Sequence, residues 1–319
     1  MMATAAFAES SRVDSIRTAM GESKTFGTEG KDDYDLTAYY ADLYGSLTVH
    51  GNFTVNGVMD VGAGAAGAQA NHSFIKAKEI RLGNRAQIWC YNESENWREA
   101  TLSADKMDFS KAFEVRSMRN TILEMKGRND GEKTEVSLGV MWVRGGFMVI
   151  DGHGTAGDGT GIIFSSKAND QGVFRAGSMT WEKGSEINVD SNAYGTVEIT
   201  DANQLAVGDI LIEELKASKG TTGSQLTLSI TKDGTKDYSF RDAEIQTGAR
   251  LNIRGQDVAL SSVGDLVNKG VIAFDDVTAD APRTTTIAKS AFKKLLDGSK
   301  EGGVLYLGAT TDKSLNTVV

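Results

Sequence analysis

Three glycines spaced six residues apart open GSLTVH, GNFTVN and GVMDVG over 45–62, and each block carries an apolar, polar, apolar triplet. A short strand and a tight turn repeated at that interval predict a stacked or hairpinned β-architecture. Leu47, Val49, Phe53, Val55, Met59 and Val61 share one parity, and Thr48, Thr54 and Asp60 take the other. One face is therefore suited to burial and the other to water.

The unit returns in looser form at GVMWV (139–143), GVFRA (172–176), GSEINV (184–189), GTVEI (195–199), GSQLTL (223–228), GARLNI (248–253), GVIAF (270–274) and GVLYL (303–307). Glycines 161, 172, 184 and 195, then 248 and 270, then 303, fall about eleven residues or a multiple of eleven apart. This degenerate repeat predicts an all-β, β-solenoid-like stack of short strands in which each rung touches only its neighbours. The single proline, Pro282, agrees, because continuous ladders need an amide donor at every rung. With a rung of about 22 residues and a spacing of roughly 4.8 Å, residues 43–310 would form about twelve rungs and a rod about 55–60 Å long.

Five segments fit no rung. Residues 1–42 read as a leader, cap or assembly segment, with a short amino-terminal helix over 10–23 that places Val13, Ile16 and Met20 on one side. GAGAAGAQAN (62–71) reads as a small-residue linker, with the β-body restarting at Phe74. Residues 200–222 break the repeat within the 43–310 body and suggest an inserted strand and short helix. IAKSAFKKLLDG (287–298) reads as a short carboxy-terminal helix with Ile287, Ala291 and Leu295 on one face, and 311–319 as a polar tail.

A net charge of −9 without a dense Lys/Arg run argues against nucleic acid or an anionic lipid surface as partner. VSLGVMWVRGGFMVI (136–150) is cut by Arg144 and two glycines, so no membrane insertion is expected. The single cysteine, Cys90, excludes an internal disulfide and reads as a strand residue rather than a nucleophile. Ala6-Phe7-Ala8 has the small-x-small pattern of a signal-peptidase site without a basic n-region or a full apolar h-region. Either the true start lies upstream or the pattern is accidental.

Several strings imitate catalytic motifs. Asp151-Gly152-His153-Gly154-Thr155 resembles the histidine motif of subtilisin-like proteases, and Ser178 in AGSMT their serine motif, but the α/β alternation of that fold is absent. Gly152-His153-Gly154 with Asp275 and Asp276 resembles polygalacturonase-type glycosidases, where paired carboxylates supply acid and base. Here the aspartate pair follows the Gly-His-Gly element instead of preceding it, so Asp275 and Asp276 read better as a rung-ending turn. DGHGTAGDGTG (151–161) resembles one calcium-binding nonapeptide of secreted repeat toxins, with Asp151 and Asp158 as its acids; a glycine turn between two strands is the simpler reading. His50 and His72 lack metal-ligand partners at useful spacing. No catalytic residue, cofactor or metal site is assigned.

The aromatic residues offer a binding surface. Trp142, Trp181 and Trp97 are the candidates, with Trp89 and the tyrosines 39, 40, 44 and 194 as further members. Trp142, between Met141 and Val143, has the parity that points it out of the core.

VNKGVIAF (267–274), GSEINV and GARLNI resemble the degenerate rungs of autotransporter passenger domains and filamentous-haemagglutinin-like adhesins. That resemblance spans roughly 130–310 and implies a right-handed solenoid at the cell surface or outside the cell, adhesive or structural, whose partners are other copies of itself or a cell-surface protein or glycan. The carboxy-terminal translocator barrel of such proteins is not in this sequence. GSLTVHGNFTVNGVMDV is similar instead to the short β-repeats of trimeric phage tail fibres. Terminal segments that fit no rung add self-assembly into filaments as a third structural outcome.

Overall fold

The computed structural model describes residues 9–62, 72–91, 97–165, 171–214, 223–274, 283–307 and 316–318. Alternating apolar residues close it into a solenoid of about ten turns, each with three strand faces. Its spine is one inward column on the second face. Ile16, Ala41, Met59, Ile88, Val115, Met141, Ile162, Ile187, Ile210, Ala243 and Leu266 are successive parallel-ladder partners. All eleven are buried. Each large aliphatic side chain in such a column contributes about 1.5–3 kcal/mol by leaving water.

The span from Ile16 to Leu266 sets a mean rung of about 25 residues. That is longer than the 22 expected from sequence, so there are fewer turns than twelve, and the column is about 48 Å long at roughly 4.8 Å per rung. The eleven-residue glycine interval is half a rung. Gly161 begins the second-face part of the strand Phe147–Phe164 and Gly184 precedes the second-face strand Glu186–Val189, while Gly172 and Gly195 pair near the starts of third-face strands. The carbonyl of Tyr34 lies where a Cβ on Gly51 would sit, 1.9 Å away, and φ there is +150°, so that corner between rungs accepts only glycine.

The expected amino-terminal helix does not form. Glu9–Thr18 is a strand paired in parallel with Tyr34–Leu43, so the stack begins inside the segment read as a leader and not at residue 43. Val13 and Ile16 are three apart because a corner between the first and second faces lies between them. Their partners Ala38 and Ala41 repeat that spacing around the register shift at Ala38/Tyr40. A solenoid corner therefore imitates a helical i, i+3 interval.

Residues 200–222 are likewise no insertion where they are described. Gln204–Val207 and Asp209–Ile212 are first- and second-face strands of one rung, joined at Gly208. On the first face the ladder passes there from the 24-stranded sheet to a five-stranded one.

The carboxy-terminal helix, α1 (Lys289–Gly298), does form, and it occupies the second-face place in the rung after Leu266–Asn268. Ala291 and Leu295 are buried, and Ile287 belongs to the preceding strand Arg283–Ile287. Asn316–Val318, within the expected tail, pairs with that strand. Of the linker, only Gly62 is described, and the body resumes with His72–Lys76.

Candidate functional site

Because strands alternate, the second face carries an outward column beside its buried one: Arg17, Asp42, Asp60, Trp89, Arg116 and Trp142 on six successive rungs. The Arg116 guanidinium carbon lies 5.8 Å from the Trp89 ring centroid and 5.6 Å from that of Trp142. This is a cation–π contact on both sides, one rung away in each direction. Glu114, buried two residues before Arg116, pairs with that guanidinium and accepts a 3.3 Å hydrogen bond from Trp89 Nε1.

Exposed apolar groups continue the patch. Tyr40 stands in the neighbouring outward column with Val58, Gln87 and Glu114, and its ring meets Tyr39 edge to face at 4.7 Å. Phe113, beside Glu114, is 59% exposed. Tyr39, Tyr40, Trp89 and Phe113 are thus four large exposed apolar side chains along one side of rungs that also hold Trp142.

At the amino-terminal end of the column, Asp42 and Asp60 are ladder partners. Asp42 is held by Arg17 at 3.9 Å. Burial, and then the charge of Asp42, push the Asp60 carboxyl up to about 6, against a smaller lowering by the Tyr44 hydroxyl that donates to it at 3.4 Å. The Tyr44 hydroxyl is itself pushed up to about 12 by burial and by the two aspartates.

The three tryptophans singled out from sequence do not share a surface. Trp142 projects outward between buried Met141 and Val143, as its parity requires. Trp181 follows Ala156 in an inward column of the first face and packs against the core, since its parity is that of buried Leu138 and Ala156. Trp97 precedes the third-face strand Arg98–Ser103 and lies against Phe147, centroids 5.5 Å apart. Arg116 was not singled out. The signal for it was the 27- and 26-residue spacing of Trp89, Arg116 and Trp142, which is one rung each.

His153 and Ser178 do meet: Nδ1 is 2.8 Å from Ser178 Oγ, and Nε2 is 3.2 Å from Thr180 Oγ1. Both ring nitrogens thus face hydroxyls of the next rung, whereas a triad needs a carboxylate on the nitrogen that does not face the serine. Asp151 is instead paired with Lys133, which also reaches Asp201 at 3.3 Å. Residues 151–161 are no turn between strands but part of the long strand Phe147–Phe164. Asp275 and Asp276 lie outside the described residues.

Cys90 is fully buried between Val61 and Ser117 in a second inward column, and burial pushes its thiol up to about 12. His72 Nε2 is 2.7 Å from Thr101 Oγ1. Among the described residues no group of three or more His, Cys, Asp or Glu could hold a metal ion, and no helix is long and apolar enough to cross a membrane.

Comparison with protein-family models, curated proteins and solved structures finds no match for this chain.

Proposed function

We propose that this chain is a non-enzymatic structural or adhesive β-solenoid that works at the cell surface or outside the cell and binds a glycan or protein through its second face. The observation that carries the reading is the Trp89–Arg116–Trp142 stack, with Tyr39, Tyr40 and Phe113 exposed around it. Large exposed apolar patches rimmed by polar groups mark interaction sites. Aromatic and arginine side chains are the residue types that dominate such contacts. Parallel rungs hold these groups at a fixed repeat along the axis, which suits an extended partner.

Supporting a single-chain unit is the burial of Leu47, Val49, Phe53, Val55, Met59 and Val61 within one chain. A threefold fibre would leave that face to other chains. One monomer mass in light scattering, unchanged with concentration, agrees with the single-chain unit; a stable trimer would favour the fibre.

A second reading, polysaccharide hydrolysis, has one observation in its favour. Asp42, paired with Arg17, and Asp60, whose carboxyl is raised by burial, sit one rung apart beside Trp89. Sedimentation with insoluble polysaccharides, combined with an assay for new reducing ends, separates the two. Co-sedimentation without release supports adhesion, and release that disappears in Asp60→Asn supports hydrolysis.

A further inference from the structure

A second feature lies at the corner between the third and first faces, away from the aromatic stack. Thr25, Thr48 and Lys76 are outward ladder partners on three successive rungs. They line a cleft of about 570 Å³ whose wall also includes His50, Glu29 and Arg128. The cleft owes its shape to a long-range tie. Arg128 reaches back from the turn after Thr121–Lys126 to pair with Asp32 at 2.8 Å and Asp105 at 3.5 Å. Ser103 Oγ anchors the same turn by donating to the Gly127 carbonyl at 3.0 Å.

The groups inside are unspent. Among the described residues, the hydroxyls of Thr25 and Thr48, the His50 imidazole and the Lys76 ammonium have no hydrogen-bond or ion-pair partner, whereas Arg128 and Asp32 are paired with each other. Stacked rungs set the row Thr25–Thr48–Lys76 at roughly 4.8 Å intervals, two hydroxyls leading to one cation. A ligand matched to that row carries hydroxyls along its length and an anionic group at one end. Glu29, as an acceptor on the wall, suits a ligand with hydroxyls to donate and disfavours one that is anionic throughout. A volume of this size lies within the usual range for small-molecule sites.

We propose that this corner cleft binds an acidic saccharide, with its carboxylate or sulfate on Lys76 and its hydroxyls on Thr25, Thr48 and Glu29. The site is independent of the aromatic face, so either can fail without the other.

The test is calorimetric titration of the full chain with four probes: a glucose oligomer ending in a single galacturonate, a glucose oligomer ending in a single sulfated glucosamine, a neutral glucose oligomer and inorganic sulfate. The acidic oligomers should bind, with affinity falling as salt is raised, and the glucose oligomer should not. Lys76→Ala should weaken binding tenfold or more, Lys76→Arg should retain most of it, and Thr25→Val with Thr48→Val should weaken it without changing the salt dependence. Because Lys76 is on the outer side of its strand, its replacement should leave the melting temperature unchanged, which separates lost binding from lost folding. Equal binding of sulfate and the acidic oligomers would reduce the cleft to a simple anion site and overturn the saccharide assignment. Failure of both acidic oligomers to bind, or unchanged binding in Lys76→Ala, would overturn the proposal altogether. Whichever oligomer binds more tightly identifies the anionic group.

Discussion

The Tyr238 hydroxyl donates a 2.6 Å hydrogen bond to the Arg254 carbonyl and accepts one of 2.9 Å from the Ile230 amide, with the whole tyrosine buried. It joins the inside of the first face to the ends of two third-face strands, Gln225–Ile230 and Arg250–Arg254. Tyr238→Phe keeps the ring and leaves both backbone groups short of a partner. The expected cost is about 1–3 kcal/mol, read by urea denaturation, with hydrogen exchange at Ile230 rising more than at residues several rungs away. An unchanged midpoint would show that water or a neighbour replaces the hydroxyl.

Asp60 predicts a pH dependence of definite sign. Its carboxyl is raised in the folded chain to about 6 from the ordinary 3.8 of an aspartate, so the folded state binds the proton more tightly than the unfolded state. Its contribution is most favourable below the unfolded value and is lost as pH rises towards and through 6. Asp60→Asn should therefore stabilise the protein above pH 6 by about 1 kcal/mol after allowance for solvent screening, and by almost nothing at pH 4. Thermal melts at the two pH values check this, and a gain of equal size at both would contradict it.

The contact of Arg116 with Trp142 is a surface interaction and should matter little to folding. Trp142→Ala should leave stability within about 1 kcal/mol of the parent, and a double-mutant cycle with Arg116→Ala should give a coupling of about 0.5–1 kcal/mol. Collapse of the fold on removing Trp142 would show that the indole is a core group and would take it out of the binding face.

Cys90 should be inert in the native protein. A thiol buried in an inward column and raised to about 12 offers almost no thiolate at neutral pH. An aromatic disulfide reagent should find no reactive thiol until denaturant is added and then one per chain; rapid native labelling would mean that the second face opens near Cys90.

Much of the fold was legible because burial in a solenoid follows parity. Leu47, Val49, Phe53, Val55, Met59 and Val61 are all buried, as alternation required, and glycines 172, 184, 195, 223, 248, 270 and 303 stand within two residues of a strand start, whereas Gly139 and Gly161 lie inside longer strands. What misled was the corner. Between Val13 and Ile16 the alternation slips by one, so a strand that bends from one face to the next carries a helical spacing. At Gly208 the same kind of corner, lying within one rung, looked like an interruption. The site was less legible because it depends on rung length. Trp142 could be placed outward from its two neighbours alone, but its stacking on Arg116, and that of Arg116 on Trp89, needs the 26- and 27-residue offsets that only the ladder reveals. Trp181 was misplaced for the same reason, since its inward parity is set by Ala156 a rung earlier.

The most direct test of the binding face compares the parent chain with a Trp89→Ala, Trp142→Ala double variant on an array of immobilised glycans and on intact cells. The parent should bind a defined subset, and the variant, with its melting temperature within a few degrees of the parent, should lose that binding at least tenfold. Equal binding by the two proteins would contradict the account and move the adhesive surface away from the second face.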